Sequence, residues 1–243
     1  MNLELAEIHV WQSFERPVDE AALEARRGLL EPAELERVGK AYSPEVRRRF
    51  LGARVMQRMV LGRYAPGVDP ASLRFVNGEH GKPALAPPFD SLGLHFNVTH
   101  TDGLIAVAVS RLRDVGVDAE NLNARTTALK LAHRYFTPEE ARNLESLPSA
   151  QQPARFFALW TLKEAWMKAT GKGLVAGLGN AAFSLDENHK VFGLSFAAGD
   201  AADWCFWQYA PTNEHVLALA LRAPGATHDV AVEKYEWRPG DPP

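Results

Sequence analysis

The order of helix-like and strand-like segments repeats along this chain, and the repeat limits the folds that it can form. In the first half, the amphipathic stretch that begins at Ser43 and Pro44 predicts a long helix, and the runs LRFV, LHFNVTH and GLIAVAVS predict strands. In the second half, a helix is predicted from Pro153 to Gly171, followed by further strand-like runs. This order predicts an α+β protein of two similar lobes with pseudo-twofold symmetry, each a long helix packed on a small antiparallel sheet.

The length and composition fit two lobes of this kind. The chain has 243 residues, 46% of them hydrophobic, which is enough apolar material for one large domain or two small lobes. We expect residues 1–112 to form the N-terminal lobe and residues 113–243 to form the C-terminal lobe. The tail RPGDPP is expected to be disordered.

Charge, cysteine content and hydropathy exclude several classes of protein. A formal charge of −3 argues against a nucleic-acid binder or an anionic-membrane binder, because such proteins are strongly basic. The single cysteine, Cys205, excludes an intrachain disulfide and a multi-cysteine metal cage. The first residues lack the pattern of a secretory signal, and no apolar stretch approaches the length of a membrane span. We therefore expect a cytoplasmic protein that binds neither nucleic acid nor a membrane.

Two carboxylates interrupt a strand-like run in the segment VGVDAEN. Strand side chains alternate between faces, so Asp118 and Glu120 point the same way. Two like charges on one half-buried face are costly unless a cation lies between them. The alternative interpretation is a solvated strand end that leads into a loop.

A third acid lies on the second long helix. Trp160, Glu164 and Lys168 are spaced four residues apart and therefore share one stripe of the helix, which the aromatic residue predicts to face inward. As a pair one turn apart, Glu164 and Lys168 would alternatively form only a helix salt bridge worth about 0.3 to 0.5 kcal/mol. Lys163 lies one step around the helix and points in a different direction.

Asp118, Glu120 and Glu164 together offer only oxygen ligands. Such a set suits a hard divalent cation better than zinc. Magnesium binds a few carboxylates and completes its coordination with water and substrate phosphate oxygens. A magnesium site formed by these residues would therefore imply a ligand that carries phosphate.

Side chains suited to phosphate occur in three segments. NGEHGKPAL places Lys82 on a loop before the central strands, and NVTHTDG places Thr99 and His100 at a strand end. A run of arginines that includes Arg49 lies on the first long helix. Each segment also has a purely structural interpretation: a turn, a strand end and a solvated helix face.

Five motifs, in their order along the chain, resemble those of the Sfp-type 4′-phosphopantetheinyl transferases: GKPAL, HFNVTHT, VGVDAEN, FTPEE and FFALWTLKEAWMKATGKGL. The resemblance covers about residues 35 to 200. It implies a monomer of two similar α+β lobes with the active site between them. It also implies coenzyme A, magnesium and an apo acyl or peptidyl carrier protein, whose serine receives the phosphopantetheine arm.

The resemblance also implies roles for individual residues. Asp118, Glu120 and Glu164 match the magnesium ligands, which are shared with the coenzyme A diphosphate. The positions matched to groups that bind the coenzyme are Arg49, Lys82, Thr99, His100 and Lys163. Arg49 corresponds to a basic residue near the 3′-phosphate, and Lys163 and Lys168 correspond to the lysines of the helix motif.

Two further matches concern a residue of undetermined role and a departure from the family's usual motif. Glu140 matches the glutamate of an F-x-x-x-E element, and its role stays open between structure and catalysis. The chain has Thr99-His100-Thr101 where the family commonly shows Ser-His-Ser, so the hydroxyl groups are retained and binding is expected to be retained as well.

The resemblance implies a mechanism with two catalytic residues. The carrier serine attacks, in line, the phosphorus that bears pantetheine, and adenosine 3′,5′-bisphosphate leaves. Glu164 is the candidate base, acting directly or through a water, and Lys168 is placed to stabilise or protonate the leaving phosphate.

Two other functions compete with this one. A non-catalytic module that binds coenzyme A or a carrier domain would tolerate loss of an acid, whereas all three acids are present here. A different magnesium-dependent enzyme acting on a phosphoanhydride would need a nucleotide-binding loop, and the sequence has no G-x-x-x-x-G-K-[ST] motif. The sequence does not identify the carrier protein or show whether acylated coenzyme A is accepted.

Overall fold

A computed structural model describes residues 1–14, 19–112, 114–173, 177–225 and 229–242. The helices are α1 (Glu20–Glu24), α2 (Pro32–Gly39), α3 (Pro44–Gly62), α4 (Ala128–Tyr135), α5 (Pro138–Ser146) and α6 (Gln152–Thr170). The strands are β1 (Glu7–Phe14), β2 (Phe75–Asn77), β3 (Pro83–Leu85), β4 (His95–Thr101), β5 (Leu104–Ser110), β6 (Val115–Asn121), β7 (Ala181–Leu185), β8 (Val191–Phe196), β9 (Trp204–Thr212), β10 (His215–Arg222) and β11 (Ala231–Glu236). The predicted α+β class is confirmed.

The two long helices lie where the sequence predicts them, and each has 19 residues. The hydroxyl of Ser43 caps α3 by accepting a hydrogen bond from the backbone N–H of Val46, and Pro44 occupies the first turn. Helix α6 ends at Thr170 and is capped by Gly171, which has a left-handed φ of 64° that few other residues tolerate.

Two sheets carry most of the strands. The first has the strand order β11-β1-β5-β4, and the second has the order β6-β10-β9. Neighbouring strands in both sheets are antiparallel, except that β11 is parallel to β1. The hairpins β2–β3 and β7–β8 form two further small sheets.

Three apolar clusters hold these layers together. One lies between α3 and the first sheet, and another surrounds α6 on the second sheet. The third lies between the two sheets and includes Val115, Val117 and Ala119 of β6. Because strand side chains alternate, Asp118 and Glu120 are on the opposite face of β6 from this third cluster.

The C-terminal segment returns to the first sheet. Trp237, which follows β11, lies in the apolar cluster around α3. Arg26 and Arg63 donate hydrogen bonds to the backbone carbonyls of Asp241 and Pro242. The expectation of a disordered tail is therefore wrong for residues 238–242, because local composition does not reveal these distant partners.

The boundary between residues 112 and 113 stays a prediction. Residue 113 itself lies outside the described residues, and the pairing of β11 with β1 joins the end of the chain to the first sheet. Among the helices in the described ranges, none combines the length and apolar character needed to cross a membrane.

Candidate active site

The candidate site lies where helix α6 packs against strand β6. Asp118 and Glu120 are on the same face of β6, and Glu164 and Lys168 are one turn apart on α6. The ammonium nitrogen of Lys168 is 2.6 Å from Oδ1 of Asp118. The acids of the strand and the two charged residues of the helix therefore form one cluster.

Burial disfavours the charged forms of all three carboxyl groups of this cluster, and the negative charge of Asp118 adds to this effect on Glu120 and Glu164. Burial raises the pKa of Glu120 to about 7, and the negative charges of Asp118 and Glu164 act in the same direction. Burial, followed by the charge of Asp118, also raises the pKa of Glu164 to about 7. Burial raises the pKa of Asp118 as well, although Lys168 and Thr99 oppose that shift. A divalent cation would relieve this repulsion.

The donor atoms of the cluster suit a hard cation. All three side chains offer carboxylate oxygens, and Oδ2 of Asp118 is buried with no hydrogen-bond donor to it among the described residues. A buried carboxylate oxygen without a partner is costly, and a cation would satisfy it. Within the described part of the chain, no three acidic, histidine or cysteine side chains are already spaced as metal ligands. The three residues therefore fit the predicted magnesium ion by the chemistry of their oxygen atoms and not by a preformed coordination geometry.

Strand β4 contributes the hydroxyl of Thr99 to the cluster. This hydroxyl donates a hydrogen bond to Oδ1 of Asp118 at 3.2 Å and accepts one from Lys168 at 3.2 Å. Thr99 is buried, so its hydroxyl is fixed in this network. Thr99 therefore lies beside the acids, and its predicted contact with coenzyme phosphates stays a prediction.

His100 follows Thr99 and borders the cluster with basic neighbours. Its ring lies 5.3 Å from the ring of Phe50 on α3, measured between centroids. Desolvation, followed by the positive charges of Lys168, Arg49 and Arg54, lowers the pKa of His100 to about 4. His100 is nevertheless exposed, so its imidazole is accessible to a ligand, and the arginines supply positive charge beside it.

Lys82 and Arg49 lie at the borders of the site and bind protein groups. Lys82 donates hydrogen bonds to the carbonyl oxygens of Val115 at 3.0 Å and Ala169 at 2.8 Å, at the start of β6 and the end of α6. Arg49 Nη2 is 2.8 Å from Oδ1 of Asp102, in the turn between β4 and β5. Their predicted contacts with coenzyme phosphates stay predictions.

Lys163 lies apart from the cluster. Its side chain is fully buried, and its ammonium group is 2.7 Å from Oε2 of Glu140. It also donates hydrogen bonds to the carbonyl oxygens of Leu178, at 3.0 Å, and Ala181. Because no part of this side chain is exposed, a phosphate group cannot reach its ammonium nitrogen, whereas Lys168 is partly exposed. The structure therefore contradicts a phosphate-binding role for Lys163, because the helical phase turns it into the core.

The same geometry gives Glu140 a structural role. Its carboxylate accepts the backbone N–H of Thr137 at 2.8 Å and that of Phe183 at 2.8 Å, while the Thr137 hydroxyl accepts the N–H of Glu140. This arrangement caps α5 and ties it to β7. Together with Lys163, Glu140 joins three elements of the C-terminal core.

Two residues that shape the site have roles that the sequence did not indicate. Gly116 occupies the point of closest approach between β6 and α6. The hydroxyl of Thr101 accepts a hydrogen bond from the backbone N–H of Asn121 at 3.2 Å and favours the charged form of Glu120, because it opposes the rise in the pKa of that residue. The sequence does offer one indication of these positions, because residues two apart in a strand share a face. Gly116 therefore lies on the same face of β6 as the two acids, and Thr101 lies on the same face of β4 as Thr99.

Comparison with known proteins decides the family. Residues 114–220, which contain β6 and α6, match the family model of the 4′-phosphopantetheinyl transferase superfamily. Over 217 residues, the chain is 40% identical to 4′-phosphopantetheinyl transferase HetI of Nostoc sp. strain PCC 7120, an alignment that covers 88% of this chain and 87% of HetI. The chain belongs to the 4′-phosphopantetheinyl transferase family.

Other transferases of this family align over most of their length. The chain is 26% identical to 4′-phosphopantetheinyl transferase Sfp of Bacillus subtilis strain 168, over 92% of this chain and 96% of Sfp. It is 30% identical to a phosphopantetheinyl transferase of Thraustochytrium sp., over 86% of this chain and 75% of that protein. The predicted Sfp-type resemblance is confirmed, and the chain is a phosphopantetheinyl transferase and not a binding module alone.

Proposed function

We propose that this transferase moves the 4′-phosphopantetheine arm of coenzyme A to a serine of an apo acyl or peptidyl carrier protein. The reaction depends on Mg²⁺ and releases adenosine 3′,5′-bisphosphate. One observation carries the proposal: Asp118, Glu120, Glu164 and Lys168 meet where α6 packs on β6. Three acids alone would repel a diphosphate, whereas three acids with a hard cation would bind it.

Asp118, Glu120 and Glu164 are the proposed ligands of the magnesium ion. When bound, the ion would neutralise charge on the coenzyme A diphosphate. Thr99 and Lys168 favour the ionised form of Asp118, because both hydrogen-bond its Oδ1 atom. This support keeps Asp118 available as an anionic ligand despite its burial.

The proposed phosphate-binding groups border the acids. Thr99 and His100 offer hydrogen bonds from the end of β4, and Lys82 lies at the start of β6. Arg49 is the proposed partner of the 3′-phosphate, and its charge already influences His100. His100 would orient a phosphate oxygen by a directed hydrogen bond while the arginines and Lys168 supply positive charge.

Glu164 is the proposed base for the carrier serine, directly or through a water. With the cation bound, Glu164 would be an anionic carboxylate at neutral pH, which is the form that can accept the serine proton. Lys168 lies one turn farther along α6 and is the proposed group that stabilises or protonates the leaving phosphate.

Mass spectrometry of an apo carrier protein incubated with the enzyme, coenzyme A and Mg²⁺ tests this function. The carrier should gain the mass of one phosphopantetheine group, and Glu164→Gln should abolish the gain while its thermal unfolding stays cooperative. Glu187→Gln is the matched control, because this glutamate is exposed in the turn between β7 and β8. Failure of the wild-type enzyme to load any of several acyl and peptidyl carriers would contradict the proposal.

The proposal includes a cytoplasmic monomer as the working form. Light scattering on the purified enzyme, with and without coenzyme A, should give the mass of one chain. A stable dimer would contradict the monomer, without bearing on the transfer reaction.

A further inference from the structure

Strand β6 carries two of the acids and lies at the edge of its sheet. Its hydrogen-bonded neighbour is β10, and its other edge faces β4 of the first sheet. Along this edge the backbone N–H of Val117 donates to Oδ1 of Asn97 at 3.0 Å, and the N–H of Asn121 donates to the hydroxyl of Thr101 at 3.2 Å. Side chains of β4 thus take the place that backbone carbonyls occupy in a continuous sheet.

The carbonyl groups of the same strand also bind side chains. The oxygen of Val115 accepts a hydrogen bond from Lys82 at 3.0 Å, and the oxygen of Val117 accepts one from Lys168 at 3.3 Å. In addition to the apolar cluster between the sheets, hydrogen bonds to individual side chains therefore hold β6, in place of a backbone ladder along this edge.

The contacts from β4 have a regular register. The two pairs, Asn97 with Val117 and Thr101 with Asn121, are both separated by 20 residues in sequence. Thr99 lies between them in β4 and donates to Asp118. A shift of β6 by one residue would break both backbone contacts and turn the acids to the other face of the strand.

Thr101 holds the end of β6 that carries Glu120. Its hydroxyl accepts a hydrogen bond from the backbone N–H of Asn121, the residue that follows Glu120 in β6. At the other end of the register, Asn97 is buried, and loss of its oxygen would leave the N–H of Val117 without this partner.

We infer that Asn97 and Thr101 are positioning residues, which fix the edge of β6 and thereby set where Asp118 and Glu120 lie relative to Thr99 and His100. The inference rests on the proposed function for its catalytic consequence. Neither side chain needs to touch the substrate for this role. Groups that orient the ligands of a metal change metal affinity or activity by roughly 10- to 100-fold when they are removed.

The substitutions Thr101→Val and Thr101→Ser form a matched pair. Valine keeps the shape of threonine without the hydroxyl, whereas serine keeps the hydroxyl without the methyl. We expect Thr101→Val to lower kcat about tenfold or more and to raise the half-saturating Mg²⁺ concentration, with little change in KM for the carrier. Thr101→Ser should restore both values to within about twofold of the wild type, because the hydrogen-bonding group is retained.

Hydrogen exchange of backbone amides tests the positioning without relying on transfer. In Thr101→Val the amide of Asn121 should exchange about tenfold faster than in the wild type, and in Asn97→Leu the same should hold for Val117. Each variant is the control for the other, since the amide at the far end of the strand should stay protected. Mg²⁺ binding measured by calorimetry adds a third readout in the absence of any carrier.

The outcomes separate this inference from the proposed function. If the wild type transfers no phosphopantetheine but the exchange pattern and Mg²⁺ affinities follow the expectations, the positioning role stands and the function fails. If the wild type is active and Thr101→Val matches Thr101→Ser in kcat, Mg²⁺ dependence and exchange, the inference is overturned. Uniformly faster exchange across residues 115–121 in both variants would also overturn it, because it would indicate general loosening.

Discussion

Gly116 of β6 lies directly against the backbone of Ala165 on α6. A Cβ atom at position 116 would be 2.0 Å from the carbonyl oxygen of Ala165 and 2.6 Å from the backbone nitrogen of Ala169. The glycine of the Gly-x-Asp-x-Glu motif therefore has a packing function. It lets the helix approach closely enough for Asp118 to meet Lys168.

Substitution of Gly116 by alanine should separate the helix from the strand. The added methyl group would overlap backbone atoms, which cannot move aside as a flexible side chain can. We expect the free energy of unfolding to fall by about 1 to 3 kcal/mol, as for other overpacked cores. Transfer should slow by about 100-fold, because displacements near 1 Å have effects of that size on catalysis. Denaturant unfolding and carrier loading measure the two effects.

Gly39→Ala is the control for this substitution. A Cβ atom at position 39, the last residue of α2, would meet nothing within 4 Å. Its free energy of unfolding should stay level or rise, since alanine favours helix more than glycine does. Equal behaviour of the two alanine variants would contradict the packing function of Gly116.

Replacement of Lys163 by methionine should affect folding and leave the site itself intact. The substitution removes the partner of the buried carboxylate of Glu140, and breaking a buried ion pair in this way costs about 3 to 5 kcal/mol. Chemical denaturation measures the loss. Coenzyme A affinity of the protein that remains folded should equal that of the wild type.

Lys172→Met is the matched control for Lys163→Met. Lys172 follows α6 and is exposed, so its replacement should change the free energy of unfolding by no more than about 0.5 kcal/mol. A Lys163→Met protein with wild-type stability and weakened coenzyme binding would instead support the phosphate-binding role that the sequence predicted.

Cation binding should become tighter as the pH rises towards neutrality. Burial raises the pKa of Glu120 and Glu164 to about 7, compared with 4.5 for a free glutamate. Between these values the folded protein holds protons that the unfolded chain has released, so without a cation its free energy of unfolding should fall as pH rises. A divalent cation displaces those protons, so its affinity should increase through the same window and then level off.

Calorimetric titration with Mg²⁺ at about pH 5.5 and about pH 8 measures this dependence. The affinity should be higher at the upper value, and Glu120→Gln should reduce the difference because one titrating ligand is removed. Equal affinity of the wild type at both values would contradict protonation of these carboxyl groups as the competing reaction.

The elements of the fold followed closely from local sequence signals. Ser43 with Pro44 marked a helix start that the structure confirms, because caps act within a few residues. The pairing of β11 with β1 was not foreseen, since it joins segments that are more than 200 residues apart and depends on partners that neither segment specifies alone.

The site was predictable to the extent that it follows helix and strand periodicity. Spacing placed Asp118 with Glu120, and Glu164 with Lys168, and the structure brings these four side chains together. Lys163 was misassigned because a family motif identifies a residue but does not show which way its side chain points. The helical periodicity already indicated that Lys163 points away from Glu164. The contacts of β4 with β6 depend on how the two sheets pack against each other, and the periodicity of a single strand does not predict that packing.

Anomalous diffraction from crystals grown with coenzyme A and Mn²⁺ tests the central claim most directly. We expect one manganese peak bonded to an oxygen of each of Asp118, Glu120 and Glu164, and to oxygens of the diphosphate. A peak bonded elsewhere, with the Glu164 carboxylate directed into bulk solvent, would contradict the account.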